Sequence, residues 1–388
     1  MERSKVYMDK FAFGQNYIVM GENALQYLNN IDTGKTFILI GAESLIKNCI
    51  LKKVKNILKI KKFPVCTFSG ITREFEINTM NEILDIMKRF KPDTIVALGG
   101  GSVMDAAKIL ILAYEGPDID FDKLSSICVP SNRKYLKFIT IPSILGTGSG
   151  VNGNVLMSLK YNEARVKFKN SFFAPDIVIL DPLTSINVPP NIVAQSGILA
   201  MVHALQCYMD DNLNDISRCL ALSSIKGIFR YLPLSFKSND MKFREKLQNY
   251  ECISGLAFND VHNELIDAVT SSISSKFKLS YSEVNAIIFP YFLEYSSRNI
   301  KIVSKLKVLS KYLKIEDFIN FIRKFSTEFN IKRSLKEIGV DESVFKNNLF
   351  MLVQDSAKYF TRVKSSKIAE EDIVRILKYV YYGHDIDF

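Results

Sequence analysis

Three consecutive glycines between a short apolar run and a helix-forming stretch constrain this chain more than any other feature. The segment from Thr94 to Lys108 reads TIVALGGGSVMDAAK. Thr94 to Leu98 is apolar and β-favouring, which predicts a short buried strand. Gly99, Gly100, Gly101 and Ser102 predict a turn, and Val103 onward predicts a helix carrying the small residues Ala106 and Ala107. A strand, a glycine-rich turn and a helix start together make an anion cradle. The glycines let the backbone come close, and the free N–H groups of the first helical turn point at the anion. Asp105 is placed in that first turn, where a carboxylate suits the helix dipole and reaches either a ribose or the loop backbone. The same turn would also serve as a tight connection with no ligand, but each glycine costs about 1 kcal/mol of chain entropy, so three in a row ask for a reason. The pattern is neither the GxGxxG fingerprint nor a Walker loop, because no Gly-Lys-Ser/Thr follows.

Around this segment the first half of the chain alternates strand and helix. Strands are predicted at Thr36–Gly41, Val65–Phe68, Thr94–Leu98, Phe138–Pro142 and Ile177–Asp181. Helices are predicted from Glu43, over Phe75–Phe90 and from Val103. Asn152–Met157 and Arg165–Phe168 read as an inserted hairpin, and 117–134 as a surface loop. This is the grammar of an open, mainly parallel sheet with helices on both faces. After Asp181 and Pro182 the strand signals stop, and 3.6-residue periods run over about 190–211, 214–233, 241–260, 263–275, 282–296, 316–328, 344–360 and 369–381. The reading is a Rossmann-like dinucleotide-binding α/β domain over 1–185, followed by an all-α domain over 186–388.

Composition narrows the function classes. Of the 388 residues, 47% are hydrophobic and 24% charged, a globular profile. The net charge of +10 raises nucleic acid as a partner. The lysines are scattered through helices and linkers, however, with no arginine-rich run or aromatic-interleaved stripe, so a solvated basic surface is the reading. Cys49, Cys66, Cys128, Cys207, Cys219 and Cys252 show no CxxC spacing, and most sit in apolar patterns as reduced core residues. No secretory leader and no run of eighteen apolar residues is seen. A cytoplasmic protein with a small-molecule substrate, no nucleic acid and no membrane is expected.

The chain resembles the iron-containing (group III) alcohol dehydrogenase family, whose relatives include glycerol dehydrogenase. The matching pieces follow in order over nearly the whole length: GGGSVMDAAK at 99–108, IPSILGTGS at 141–149, PDIVILDP at 175–182, HALQ at 203–206, GLAF at 255–258 and NAIIFP at 285–290. The resemblance implies a nicotinamide cofactor, NADP or NAD, in the cleft between two domains. Gly99, Gly100, Gly101 and Ser102 would cradle its pyrophosphate with Asp105 behind them. Ser143 and Thr147, on a second glycine-rich turn, would contact the phosphate and nicotinamide side, and Arg165 would face the cofactor. Where many members carry an acid that selects NAD, this chain has Ala42, which admits NADP, although Glu43 next to it can take that role. Members commonly form homodimers or larger assemblies.

The resemblance also implies a divalent metal, iron or zinc, held by one Asp and three His. The corresponding positions here are Leu199, His203, Asp267 and Tyr281, and a proton-relaying His is Ser271. The chain has only His203, His262 and His384, too few to rebuild a three-His site, so no metal ligand is assigned and bound iron or zinc is not expected. Three readings follow. The first is a metal-independent NAD(P)-dependent alcohol dehydrogenase or aldehyde reductase acting on a small, conceivably anionic, substrate, with His203, Asp267 and Tyr281 as catalytic residues. The second is a catalytically silent dinucleotide-binding homologue. The third is a lyase or synthase on an anionic substrate, like the distant dehydroquinate synthases.

Overall fold

The computed structural model describes residues 9–13, 16–41, 43–71, 77–116, 121, 127–157, 166–260, 265–363 and 369–384. Nine strands are found among them: β1 (Asp9–Phe13), β2 (Asn16–Met20), β3 (Thr36–Ile40), β4 (Val65–Ser69), β5 (Thr94–Gly99), β6 (Lys137–Pro142), β7 (Asn154–Met157), β8 (Val166–Lys169) and β9 (Ile177–Leu180). Seven form one sheet in the order β1-β2-β9-β6-β5-β3-β4, and β7 pairs with β8 as a separate ribbon. Only β1 runs antiparallel to its neighbour within the seven. The chain goes from β3 out to the edge at β4 and returns on the other side of β3 as β5. That reversal opens a crevice beyond the carboxyl ends of β3 and β5, the usual ligand position in such sheets.

The side-chain period of two explains why these strands read as continuous apolar runs. Phe37, Leu39, Ile95, Ala97 and Phe138 pack on one face against α3 (Ile77–Phe90) and α4 (Gly101–Glu115). Ile38, Ile40, Val96, Leu98, Ile139 and Ile141 pack on the other against α2 (Ile50–Lys59). The short α1 (Glu43–Lys47) follows β3.

The second half is helical. α5 (Pro190–Met209) is buried along nearly its whole length among α6 (Asp215–Lys237), α7 (Met241–Ala257), α8 (Leu265–Phe277) and α9 (Tyr281–Ser296). Pro190 opens α5, where its missing N–H costs nothing. Among the described residues α5 is the one helix long and apolar enough to cross a membrane, yet 94% of that window is buried inside the protein, as in a core helix. Outer helices α10 (Ile300–Leu313), α11 (Phe318–Glu328), α12 (Glu342–Val363) and α13 (Glu370–Tyr382) complete the layer.

Several expectations shift. β1, β2 and α10 were not anticipated. The hairpin forms its own ribbon rather than joining the main sheet. The helix expected over 241–260 ends at Ala257 and tightens into a 3₁₀ turn, Phe258–Asp260. α4 starts at Gly101, earlier than Val103, so Asp105 is one turn inside the helix rather than in its first turn. Of the six cysteines only Cys207 and Cys252 are buried, while Cys49, Cys128 and Cys219 are exposed; all are free thiols.

Candidate active site

The first wall of the site is the glycine turn at the carboxyl end of β5. Gly100 caps α4, and its carbonyl accepts from the N–H groups of Val103 and Met104. The N–H groups of Gly101 and Ser102 precede these in the first turn, where a helix has no internal partners for them. A Cβ on Gly101 would lie 2.7 Å from Thr147 Oγ1, and one on Gly100 would lie 3.2 Å from Ile144. The absent side chains therefore let the second glycine-rich turn lie directly against the first. Ser143 N–H donates to the Gly99 carbonyl (2.8 Å), continuing the β5–β6 pairing into the two turns. Glycines 99–101, Ser102, Ser143 and Thr147 are thus gathered at the carboxyl ends of the central strands β5 and β6, beside the reversal point. Ala42 and Arg165 lie outside the described residues.

Asp105 does not open toward a ligand. It is buried, and its Oδ1 accepts the Ser149 hydroxyl. Next to it stands Lys108, which the sequence reading passed over. Lys108 is fully buried, and its Nζ donates to Ser149 Oγ (3.0 Å), the Asn152 carbonyl (2.9 Å) and the Asn154 carbonyl (2.6 Å). Burial pushes its ammonium down to about 8 against the pull of Asp105. Helix α4 thereby fixes both the second turn and the start of β7. The only sequence signal for this was a charged residue on the otherwise apolar course of α4.

The second turn also meets the helical layer. Gly146 N–H donates to Ser196 Oγ on α5 (2.9 Å), and Ser196 donates in turn to Glu251 Oε1 on α7 (3.1 Å). Ser196, Leu199 and His203 follow one α5 face at spacings of three and four. The His203 backbone thus lies two turns, roughly 10 Å of helix rise, beyond Ser196, and its ring reaches back toward the Gly146 backbone.

There the structure brings His203, Asp267 and Tyr281 together. Asp267, on α8, is buried; its Oδ1 accepts the Tyr281 hydroxyl (2.8 Å) and its Oδ2 accepts Gln206 Nε2 (3.1 Å). His203 Nε2 is 4.0 Å from Asp267 Oδ1, beyond hydrogen-bond length, and its ring stacks on Phe258 at 3.9 Å. Burial drives the His203 imidazole down to about 4, outweighing Asp267, so the ring is neutral at pH 7. Leu199 is buried on the same face at 1% exposure. Ser271 is buried on α8, one turn beyond Asp267. Among the described residues no group of three His, Cys, Asp or Glu is placed to hold a metal ion. His262 and Glu264 lie outside the described residues.

A residue that the sequence reading did not single out completes the cluster. Lys167, on β8, is partly buried, and burial lowers its ammonium to about 8 while Asp267 pulls it up. The same charge lowers the imidazole of His203. Lys167 is therefore the ammonium that shares the Asp267 neighbourhood.

Comparison with known proteins agrees with this geometry. Sequence models of two halves of one family match: "Iron-containing alcohol dehydrogenase" over residues 15–182, and "Fe-containing alcohol dehydrogenase family, C-terminal" over 193–381. An NADPH-dependent butanol dehydrogenase of Clostridium saccharobutylicum is 26% identical over 96% of this chain and 98% of its own length. An aldehyde-alcohol dehydrogenase of Streptococcus pneumoniae is 31% identical over 71% of this chain, and the chain spans about a third (32%) of that longer protein. The iron-containing alcohol dehydrogenase structure from Thermococcus thioreducens superposes with a TM-score of 0.86, covering 96% of this chain and 100% of that one at 24% identity.

Proposed function

We propose that this chain, which belongs to the iron-containing alcohol dehydrogenase family and is a nicotinamide-dependent oxidoreductase of CH–OH groups, reduces a small aldehyde without a resident metal ion. The observation that carries the reading is the contrast between the two ends of the cleft. The glycine turns keep a cofactor cradle, while in the Asp267 cluster both carboxylate oxygens are taken by Tyr281 and Gln206 and the apolar Leu199 stands at a family ligand position.

The cradle fits a dinucleotide. The N–H groups of Gly101 and Ser102 at the start of α4 offer an anion site, and the second turn at Ser143 and Thr147 closes against it. NADPH is favoured over NADH by Ala42, with the full-length Clostridium relative named for NADPH as support. When bound, the reduced nicotinamide supplies the hydride. The chain's own task is to hold the carbonyl, exclude water and provide a proton.

The metal implied by the family does not suit the donor set. Leu199 has no lone pair to give, and the Tyr281 phenol is a poor ligand whose proton is directed at Asp267. Both oxygens of Asp267 already accept hydrogen bonds from the protein. Among the described residues His203 and Asp267 are left as donors, short of the three protein ligands that a catalytic site of this kind needs.

A cytoplasmic enzyme with a small-molecule substrate, in a homodimer or larger assembly, completes the reading. A second reading, a cofactor-binding protein without turnover, is favoured by the burial of Leu199 on the face that holds His203.

One experiment tests both. Gly101→Val should abolish NADPH binding while the circular dichroism spectrum is kept, because even a Cβ there meets Thr147. The parent should reduce short aldehydes at a rate unchanged by chelators, with less than one equivalent of iron or zinc. NADPH binding with no turnover over an aldehyde panel would favour the silent reading, and a stoichiometric, chelator-sensitive metal would overturn the metal-free one.

A further inference from the structure

We propose that the Lys167 ammonium is the electrophile of this site, holding the carbonyl oxygen of the aldehyde and delivering the proton which that oxygen takes up. The assignment rests on the oxidoreductase reading above and names the group that polarises the substrate.

Placement comes first. In the β7–β8 ribbon Phe168 pairs with Val155, and Lys167 pairs with Leu156. Paired residues of an antiparallel ribbon share a face. Val155 is fully buried in the core of the sheet domain, and Phe168 packs against that same core. Leu156 packs instead against the core of the helical domain. Lys167 therefore faces the helical domain, from the opposite side of the cleft to α5 and α8. The ribbon is fixed in that position. Lys108 holds the Asn154 carbonyl at one end of β7, and Asn154 Nδ2 reaches the Phe258 carbonyl (3.4 Å), next to the ring on which His203 stacks.

The roles of the neighbours leave the task to the lysine. The Tyr281 proton is committed to Asp267 Oδ1, and the Gln206 amide is committed to Oδ2. The His203 ring is stacked flat on Phe258 with its Nε2 4.0 Å from Asp267, too far for a hydrogen-bonded relay. Lys167 lies in the field of the Asp267 carboxylate, on the ribbon that the second glycine turn leads into and whose Leu156 partner packs on the helical core. A cation at a developing alkoxide does what a Lewis acid does, with a transferable proton in addition.

The step balances as follows. With the reduced cofactor bound, the carbonyl carbon would take up its hydride to form the new C–H bond, and the carbonyl π pair would move onto oxygen. That oxygen takes a proton from the Lys167 ammonium, and the amine regains a proton from water. The aldehyde is reduced to a primary alcohol and the cofactor is oxidised.

The test uses the full chain and its Lys167→Met and Lys167→Arg variants. NADPH affinity is read by fluorescence titration and turnover with propanal or butanal. Lys167→Met should lose about 100-fold in kcat, within the range of lost general-acid help, while NADPH affinity stays within about threefold. Lys167→Arg keeps the charge but holds its proton too tightly to release it, so KM should stay near the parent value while kcat falls.

A second arm needs no cofactor. Propanal with cyanoborohydride at pH 7.5 should alkylate Lys167 ahead of exposed lysines such as Lys35 and Lys52, read by peptide mass. An active parent matched in kcat by Lys167→Met overturns the lysine assignment and leaves the oxidoreductase reading intact. An inactive parent in which Lys167 is still preferentially alkylated overturns that reading and keeps the lysine as the carbonyl-contacting group. Exposed lysines labelled ahead of Lys167 would remove the lysine from the site.

Discussion

Lys108 and Lys167 are both drawn out of water, and burial lowers each ammonium to about 8. Their surroundings divide them. Lys108 stands in the middle of α4 with no exposure, and its donors meet one hydroxyl and two backbone carbonyls, which matches the three N–H groups of an ammonium. Its charge is used to tie a loop to a helix. Lys167 sits on a two-stranded ribbon, still partly accessible, in the field of Asp267 beside His203. A depressed lysine pKa therefore does not by itself mark chemistry. What separates the two is the nature of the partners: backbone of a structural segment in one case, side chains that line a cleft in the other.

The widest gap between them should appear in stability. Lys108→Met leaves two carbonyls, Ser149 and Asp105 without their buried cation, and should cost about 3–5 kcal/mol in urea unfolding. The same change at Lys167, where Tyr281 and Gln206 still donate to Asp267, should cost under about 1 kcal/mol. Equal losses would erase the distinction between a structural and a chemical lysine.

A buried acid extends the comparison to the opposite charge. Glu251 borders a cavity with Ser143, Ser185, Ser196, Arg244 and Gln248, and burial raises its carboxyl to about 7 from an ordinary 4.5. A group raised in the folded state contributes stability that is complete below pH 4.5 and lost as pH rises through 7. The parent should lose roughly 3 kcal/mol between pH 4.5 and pH 8 from this group, and Glu251→Gln should flatten that slope. A slope that survives the substitution would place the titration elsewhere.

The smallest effect is expected at Tyr281. Its hydroxyl supports Asp267 rather than the substrate, so Tyr281→Phe should lower kcat by only about tenfold, with NADPH affinity kept. A fall as deep as that of Lys167→Met would return the proton-donor role to the phenol.

The parts legible in the sequence were those whose pattern is local. The glycine turn, the central strands and α5 announce themselves through residue type and period. β1 and β2 did not, because the edge strand and its neighbour are five residues each, with partly exposed faces that carry little alternation. In α10 the buried stripe of Leu306, Leu309 and Leu313 was present but diluted by the four lysines Lys301, Lys305, Lys307 and Lys311. Glycine is a poor helix former, yet Gly101 begins α4, which sets Asp105 a turn deeper in the helix than the residue pattern suggests. Lys167 was hidden for a different reason. In Val166-Lys-Phe-Lys169 the lysines read as the solvent side of a strand, and only the packing of Leu156 against the helical core shows that this face is covered as well. No residue near Lys167 in the chain announces Asp267, a hundred positions away.

The contact between Gly148 and Gly255 bears on how the cleft is spaced. Gly148, with φ +69, lies so close to α7 that a Cβ on it would fall 2.6 Å from the Gly255 Cα, and the reciprocal Cβ would fall 2.7 Å from the Gly148 Cα. Asn152 Nδ2 clamps the pair by donating to the Gly255 carbonyl (3.1 Å). Two bare backbones touching at a point, with Val151 beside them, cannot be pushed closer, and the clamp keeps them from parting. The joint acts as a spacer: it sets the separation of the second glycine turn from α7 by backbone contact alone, so any side chain at either glycine would wedge the two apart.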